Sequence, residues 1–163
     1  VLRIRSNEHF WLTYKAPGDN PEERIEIEFS IGDPGAAARL LKELGYNRFC
    51  QYETFRETYA FHSMEIMLDE LPFGTFVEIE GPSIEQVEEL AVQLKLDWEN
   101  RIKRSYKQLF LNLRRQWSLD FNEATFDNFR SLPPVLPVDL GVEPADGCPE
   151  GKSFNQKSKP DLP

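Results

Sequence analysis

What most restricts this chain is a strict alternation of grease and charge. It is clearest in Gly74-Thr75-Phe76-Val77-Glu78-Ile79-Glu80-Gly81-Pro82. Val77, Ile79 and Gly81 point one way, and Phe76, Glu78 and Glu80 the other, which is the period of a β-strand. A glycine opens the run and Gly-Pro closes it, as turns bound a strand. The two carboxylates share a face and lie about 7 Å apart along it. They can bind one divalent ion, or an ion and its coordinated water; alternatively they belong to an ordinary solvated face. The pattern recurs along the chain. Leu2 and Ile4 alternate with Arg3 and Arg5, and Phe10, Leu12 and Tyr14 with Trp11, Thr13 and Lys15. Ile25, Ile27, Phe29 and Ile31 alternate with Arg24, Glu26, Glu28 and Ser30. Phe55, Tyr59 and Phe61 oppose Thr54, Arg56 and Thr58, while Met64, Ile66 and Leu68 oppose Glu65, Met67 and Asp69.

Side by side, such strands form an antiparallel sheet with one apolar and one ionic face. Two arrangements compete. A curved sheet can show water its charges, or the sheet can close into a barrel whose lumen is ionic, which removes exposed edges. The mixture of signs has a use. Arg and Lys bind phosphate oxygens, the guanidinium in a bidentate fork. Carboxylates hold Mg²⁺ or Mn²⁺, which bridges the same phosphates. Both together fit a metal-bound polyanion. Either way the fold class expected is α+β; closure would make it an antiparallel β-barrel with helices packed outside.

Helix signals interrupt the strands. Asp33 is a suitable N-cap, Pro34 fits the first helical position and Gly45 the position past the end, with Leu40, Leu41 and Leu44 as the apolar stripe. Ser83-Ile84-Glu85-Gln86 matches a capping box ahead of Val87, Leu90, Ala91 and Leu94. Asp97 is expected to cap a further helix, carrying Trp98, Ile102, Tyr106, Leu109 and Leu113 on one side as far as Trp117. Phe49 to Phe61 reads as one long or bent extended segment. From Ser118 the periodicity fades and prolines gather. Residues 118–163 are therefore expected to be a Pro-rich tail, disordered or loosely docked, with Leu119, Phe121, Phe126 and Phe129 as anchors. This leaves 1–117 as the domain.

At 163 residues the chain suits a single domain with a sizeable core. Its net charge of −9 argues against a general nucleic-acid or anionic-membrane surface, though not against an anion held in a local basic pocket. No apolar run reaches the length of a membrane-spanning helix. Cys50 and Cys148, far apart and without C-x-x-C spacing, are expected as reduced thiols of a cytoplasmic protein. His9 and His62 are too few for a His-rich metal site. There is no Gly-rich phosphate loop of the Walker or Rossmann type. Val1 to Arg5 already reads as strand, so further N-terminal sequence is expected.

The ordered set Leu2-Arg3-Ile4-Arg5, Leu12-Thr13-Tyr14-Lys15, Arg24-Ile25-Glu26-Ile27-Glu28, Arg56-Glu57-Thr58-Tyr59, Leu68-Asp69 and Gly74 to Glu80 resembles the strand motifs of the CYTH superfamily. This is the class IV adenylate cyclase and thiamine triphosphatase group, or triphosphate tunnel metalloenzymes. Ser105-Tyr106 is similar to its closing helix, and the resemblance covers roughly residues 1–110. It implies an eight-stranded antiparallel tunnel that acts on a small-molecule triphosphate or nucleotide with Mg²⁺ or Mn²⁺. By that carry-over Glu78, Glu80 and Asp69 are metal ligands, and Glu78, Glu80 and Arg56 are catalytic. Arg3, Arg5, Lys15, Arg24 and Arg56 bind the triphosphate, and Glu26 and Glu28 line the tunnel. The implied reaction is triphosphate hydrolysis; cyclisation of ATP and non-catalytic binding are alternatives, and a homodimer is left open. Two departures stand out. The family's first-strand Glu-x-Glu-x-Lys, which would precede Val1, is absent, and Thr54 stands where a basic residue is usual.

Overall fold

The alternating segments become strands, and their register keeps each face together. The computed structural model describes residues 1–18, 24–47 and 50–145. The chain divides into two units, Val1–Phe49 and Cys50–Pro163.

In the first unit β1 (Leu2–Ser6), β2 (Phe10–Pro17) and β3 (Arg24–Ile31) form an antiparallel sheet in that order. Arg3 lies opposite Thr13 and Thr13 opposite Glu28; Arg5 lies opposite Trp11 and Trp11 opposite Ser30; Lys15 lies opposite Glu26. All of these share the ionic face, while Ile4, Leu12 and Phe29 line up on the other. Helix α1 (Pro34–Glu43) begins where the sequence places it. The Asp33 carboxylate accepts from the Ala36 N–H at 2.9 Å, and Gly45 ends the helix at φ 91°, where a side chain would strain the backbone. Neither side of the sheet is closed: Lys15, Glu26 and Glu28 on the ionic face are exposed, as are Tyr14, Ile25, Ile27 and Phe29 on the other. Thr13 is 2% exposed, against 54% for Ile27 and 51% for Phe29, and α1 buries no residue.

The second unit holds β4 (Gln51–Tyr52), β5 (Phe55–Phe61), β6 (Met64–Leu71), β7 (Gly74–Glu80) and β8 (Glu123–Ala124). Its helices are α2 (Ile84–Gln93), α3 (Tyr106–Gln116), α4 (Phe126–Phe129) and α5 (Pro137–Leu140). Strands β5, β6 and β7 form an antiparallel sheet in that order, and β4 pairs in parallel with β8. Barrel closure is not part of this strand pairing among the described residues. Helix α2 starts at Ser83, whose hydroxyl accepts from the Gln86 N–H. Where the chain turns into it, Gly81 leaves no room for a side chain: a Cβ there would lie 2.9 Å from Met64 Cγ. The core joins Leu71 and Phe73 to Leu109, Phe110 and Leu113 of α3 and to Ala124, Phe129 and Leu140. Phe73 stacks on Phe110 at 6.1 Å, and Phe129 packs against both. No helix among the described residues is long and apolar enough to cross a membrane. Cys50 is a free thiol whose pKa is raised by burial; Cys148 lies outside the described residues.

Four expectations are corrected. Asp97 caps no helix. Its carboxylate accepts from the Glu99 N–H and the Asn100 amide, a local turn that competes with helix propagation. Helix α3 starts at Ser105 with a full capping box to Gln108, so Trp98 and Ile102 precede it. The Phe49–Phe61 run is not one strand: β4 leaves for β8 before β5 begins. Nor do all helices lie on the apolar side. Helix α3 packs on the ionic side, its Tyr106 ring 5.0 Å from that of Phe76. Finally, the domain does not end at 117. Residues 118–145 include β8, α4 and α5 and supply three of the core residues; of the expected tail, 146–163 lies outside the described residues.

Phe129→Ala is expected to lower stability by about 3–5 kcal/mol, the range for removing a buried aromatic. Urea denaturation measures it. A change within about 0.5 kcal/mol, as at a surface site, would place residues 118–145 outside the core.

Candidate functional site

The centre of the second unit's ionic face is Asp69, on β6. It is 0% exposed, and both of its oxygens are taken. Arg56, directly opposite on β5, donates from Nε to Oδ1 at 2.6 Å and from Nη2 to Oδ2 at 2.5 Å. The Tyr106 hydroxyl of α3 donates to Oδ2 at 2.7 Å. Arg56 Nη2 also donates to Glu78 Oε2 at 2.6 Å, and Nη1 points at Met67 Sδ at 3.0 Å. Of the five N–H groups of a guanidinium, three therefore serve carboxylates and one faces a weak sulfur acceptor. One N–H on Nη1 is left for a further acceptor. The hydrogen bond to Asp69, with the charges of Asp69 and Glu78, outweighs burial and raises the Arg56 pKa. Burial first, and then the hydrogen bond to Asp69, raises that of Tyr106.

Glu80 lies two residues from Glu78 on the same face and directly opposite Glu65. Like charges directly opposite each other are unfavourable, and a divalent cation would relieve them. Among the described residues no three His, Cys, Asp or Glu side chains come together as a metal nest. Asp69 in particular, expected beside Glu78 and Glu80 as a ligand, is committed to Arg56 and Tyr106. The remaining donors still fit magnesium or manganese chemistry. Mg²⁺ keeps most of its water and is commonly held by one or two carboxylates plus the substrate's phosphates, without an all-protein cage.

The first unit repeats the mixed-charge pattern. Glu28 receives Arg5 Nη2 at 3.2 Å on Oε1 and the Thr13 hydroxyl at 2.6 Å on Oε2. Lys15 pairs with Glu26 at 3.0 Å. Arg3 shares this face, in register with Thr13. Arg24 is in β3 opposite Pro17, but its side chain lies outside the described residues. Arg5 Nε is buried without a hydrogen-bond partner among the described residues.

Within each unit, then, the expected site residues come together: Arg56 with Asp69 and Glu78, and Arg5 and Lys15 with Glu28 and Glu26. Sequence reasoning missed Thr13, Met67 and Tyr106. Tyr106 was assigned to an apolar stripe, yet a tyrosine in a packed stripe needs a partner for its hydroxyl, and that was the available signal. Thr13 was placed on the ionic face, but nothing local distinguishes it from any strand threonine.

Antiparallel sheets with one mixed-charge face, on the second of which a capped helix packs beside the Arg56–Asp69 pair, define an α+β protein. The CYTH domain matches residues 1–106, and the chain belongs to that family. Two solved structures are similar. One is a conserved hypothetical protein from Pyrococcus furiosus, 31% identical with a TM-score of 0.57. The other is the PH1012 protein from Pyrococcus horikoshii OT3, 27% identical with a TM-score of 0.57. Each match covers 64% of this chain and 71% of the other. No curated protein matches significantly.

Because the folded state holds the Tyr106 proton more tightly than the unfolded chain does, this group's stabilisation is complete below pH 10 and declines above it. The slope is at most about 1.4 kcal/mol per pH unit. Tyr106→Phe is expected to flatten the alkaline fall in stability by that amount. It should also cost about 1–3 kcal/mol at neutral pH through the weakened shell of a buried carboxylate. Urea melts at pH 7 to 11 check both, and identical alkaline slopes would detach Tyr106 from the buried network.

Proposed function

We propose that this chain carries the site of a metal-dependent triphosphatase, which hydrolyses a triphosphate-bearing substrate within a charged β-tunnel of the CYTH type. The supporting observation is the ionic face of β5–β7 in a CYTH chain. There Arg56 is held rigidly by Asp69 with one N–H to spare, beside the carboxylates of Glu78 and Glu80. In this reading Arg3, Arg5, Lys15, Arg24 and Arg56 bind phosphate oxygens. Glu26 and Glu28 hold Lys15 and Arg5 in position. Glu78 and Glu80 would hold Mg²⁺ or Mn²⁺, which when bound offsets charge on the phosphates. Asp69 acts through Arg56. Catalysis is then mainly positioning and charge stabilisation, as phosphoryl transfer requires.

Phosphate release from inorganic triphosphate in the presence of Mg²⁺ is the expected activity. Glu78→Gln should reduce it by at least the roughly 10–100-fold that even outer-shell changes cost a metal site, and chelation should abolish it. Hydrolysis unaffected by either would end this reading. Cyclic AMP formed from ATP without phosphate release would replace it with cyclase chemistry.

A further inference from the structure

Strand β5 is the outer strand of its sheet. One side pairs with β6, and among the described residues no strand pairs with the other. All of its residues are exposed. A row of unpaired N–H and C=O groups is a template for another strand, which folds usually blunt with proline, lysines or a bulge. The sequence Phe-Arg-Glu-Thr-Tyr-Ala-Phe has no proline or lysine, and its register with β6 runs unbroken from Phe55 to Phe61. It also shows aromatic surface to solvent: Phe55 is 62% exposed, Tyr59 51% and Phe61 38%. The strand is close to self-complementary about Thr58. Directly opposite residues of an antiparallel pair share a face. Two copies centred on Thr58 therefore set Phe55 against the partner's Phe61, Glu57 against the partner's Tyr59, Arg56 against the partner's Ala60 and Thr58 against its twin. Aromatic pairs and Thr–Thr pairs are favourable there, and no like charges meet. Phenol and carboxylate already associate within one chain, where the Tyr59 hydroxyl donates to Glu57 at 2.7 Å. Centring on Glu57 would oppose two carboxylates, and centring on Tyr59 would leave Phe55 against Ser63.

We infer that the free edge of β5 is the docking surface for a second copy of this chain, the two β5 strands pairing antiparallel about a two-fold axis at Thr58. The contact is isologous, so it closes at two copies instead of propagating. It continues β7-β6-β5 into the same three strands of the partner, one sheet of six. An axis perpendicular to that sheet keeps its faces, so the apolar faces join along Phe55, Tyr59 and Phe61. The ionic faces join as well, which puts two Arg56–Asp69–Glu78 networks on one surface. None of this depends on the triphosphatase reading.

Sedimentation equilibrium of the full chain, from micromolar to submillimolar concentration, tests this. The wild-type chain is expected to pass from monomer to dimer and no further. Thr58→Lys sets ammonium against ammonium on the axis and should weaken the dimer about fivefold, the upper scale of one cross-strand pair. Thr58→Glu should do the same with carboxylates. Mixed in equal amounts, the two variants should associate more tightly than either does alone, because position 58 then meets its opposite charge. Ala60→Lys guards against a folding defect. Its ammonium lies opposite Glu65 of its own β6, which favours the fold, and opposite the partner's Arg56, which opposes the dimer, so it too should dissociate. A wild-type chain that stays monomeric throughout would overturn the inference. So would a dimer that neither lysine variant weakens, or a mixture no tighter than its components.

Discussion

A carboxylate with no access to water governs the larger unit. Taking Asp69 out of solvent costs several kcal/mol unless its charge is matched and its lone pairs are filled. The sequence supplies the match from opposite sides: a bidentate guanidinium from the neighbouring strand and a phenol from α3. This requirement accounts for features that otherwise look unrelated. It draws α3 onto the ionic side of the sheet. It fixes the Arg56 plane, so that Nη2 reaches Glu78 and Nη1 faces Met67 Sδ. It also makes Arg56 structural as well as functional. Removing one partner of a buried pair typically costs about 3–5 kcal/mol because the other charge remains. Loss of activity in an Arg56 variant would therefore mix two effects, whereas Glu78, on the half-exposed edge of the network, separates them.

The same logic explains why Asp69 and Thr13 can be buried on ionic faces. A sheet usually buries its grease and wets its charges. Here Asp69 and Thr13 are buried, while Ile27, Phe29 and Tyr59 are about half exposed. Such a face is tolerable only if each charge is matched locally. The register does this with a cation and an acid in neighbouring strands at Lys15 and Glu26 and at Arg56 and Asp69, and across the intervening β2 at Arg5 and Glu28. A one-residue slip in a pairing would turn that strand's charges to the other face and break the ion pairs made across it.

This also explains how much could be read in advance. Alternation and register are local, so the two sheets and the residues that share each face are legible in the sequence. So were the caps at Asp33 and Ser83, because a cap is satisfied within one turn of chain. The failures lie where a local signal had two uses or none. Asp97 and Ser105 both looked able to start a helix. Only Ser105 has Gln three residues on to complete a reciprocal cap, while the Asp97 carboxylate turned to its own loop. Residues 118–145 lack periodicity because their elements are only two to four residues long. What orders them is contact with Leu109, Phe110 and Leu113, which no window of sequence contains. Tyr106 failed for the same reason: its partner lies 37 residues away.

The internal pairing also bears on how a polyanion would enter. Lys15, Arg5 and Arg56 already have acidic partners, so a phosphate cannot simply fill a vacant basic pocket. It must share or displace carboxylates, on a chain whose net charge is −9. Alone, a triphosphate would meet those carboxylates as repulsion. With a divalent cation it exchanges partners instead. Acids released from guanidinium and ammonium groups would be free to meet the metal, and the basic groups to meet phosphate. Glu65 and Glu80 lie directly opposite each other, an arrangement of like charges that a cation would favour. A face of paired opposite charges is thus better suited to a metal–polyphosphate complex than to either component alone, and this is why acids and bases had to be interleaved on the same strands.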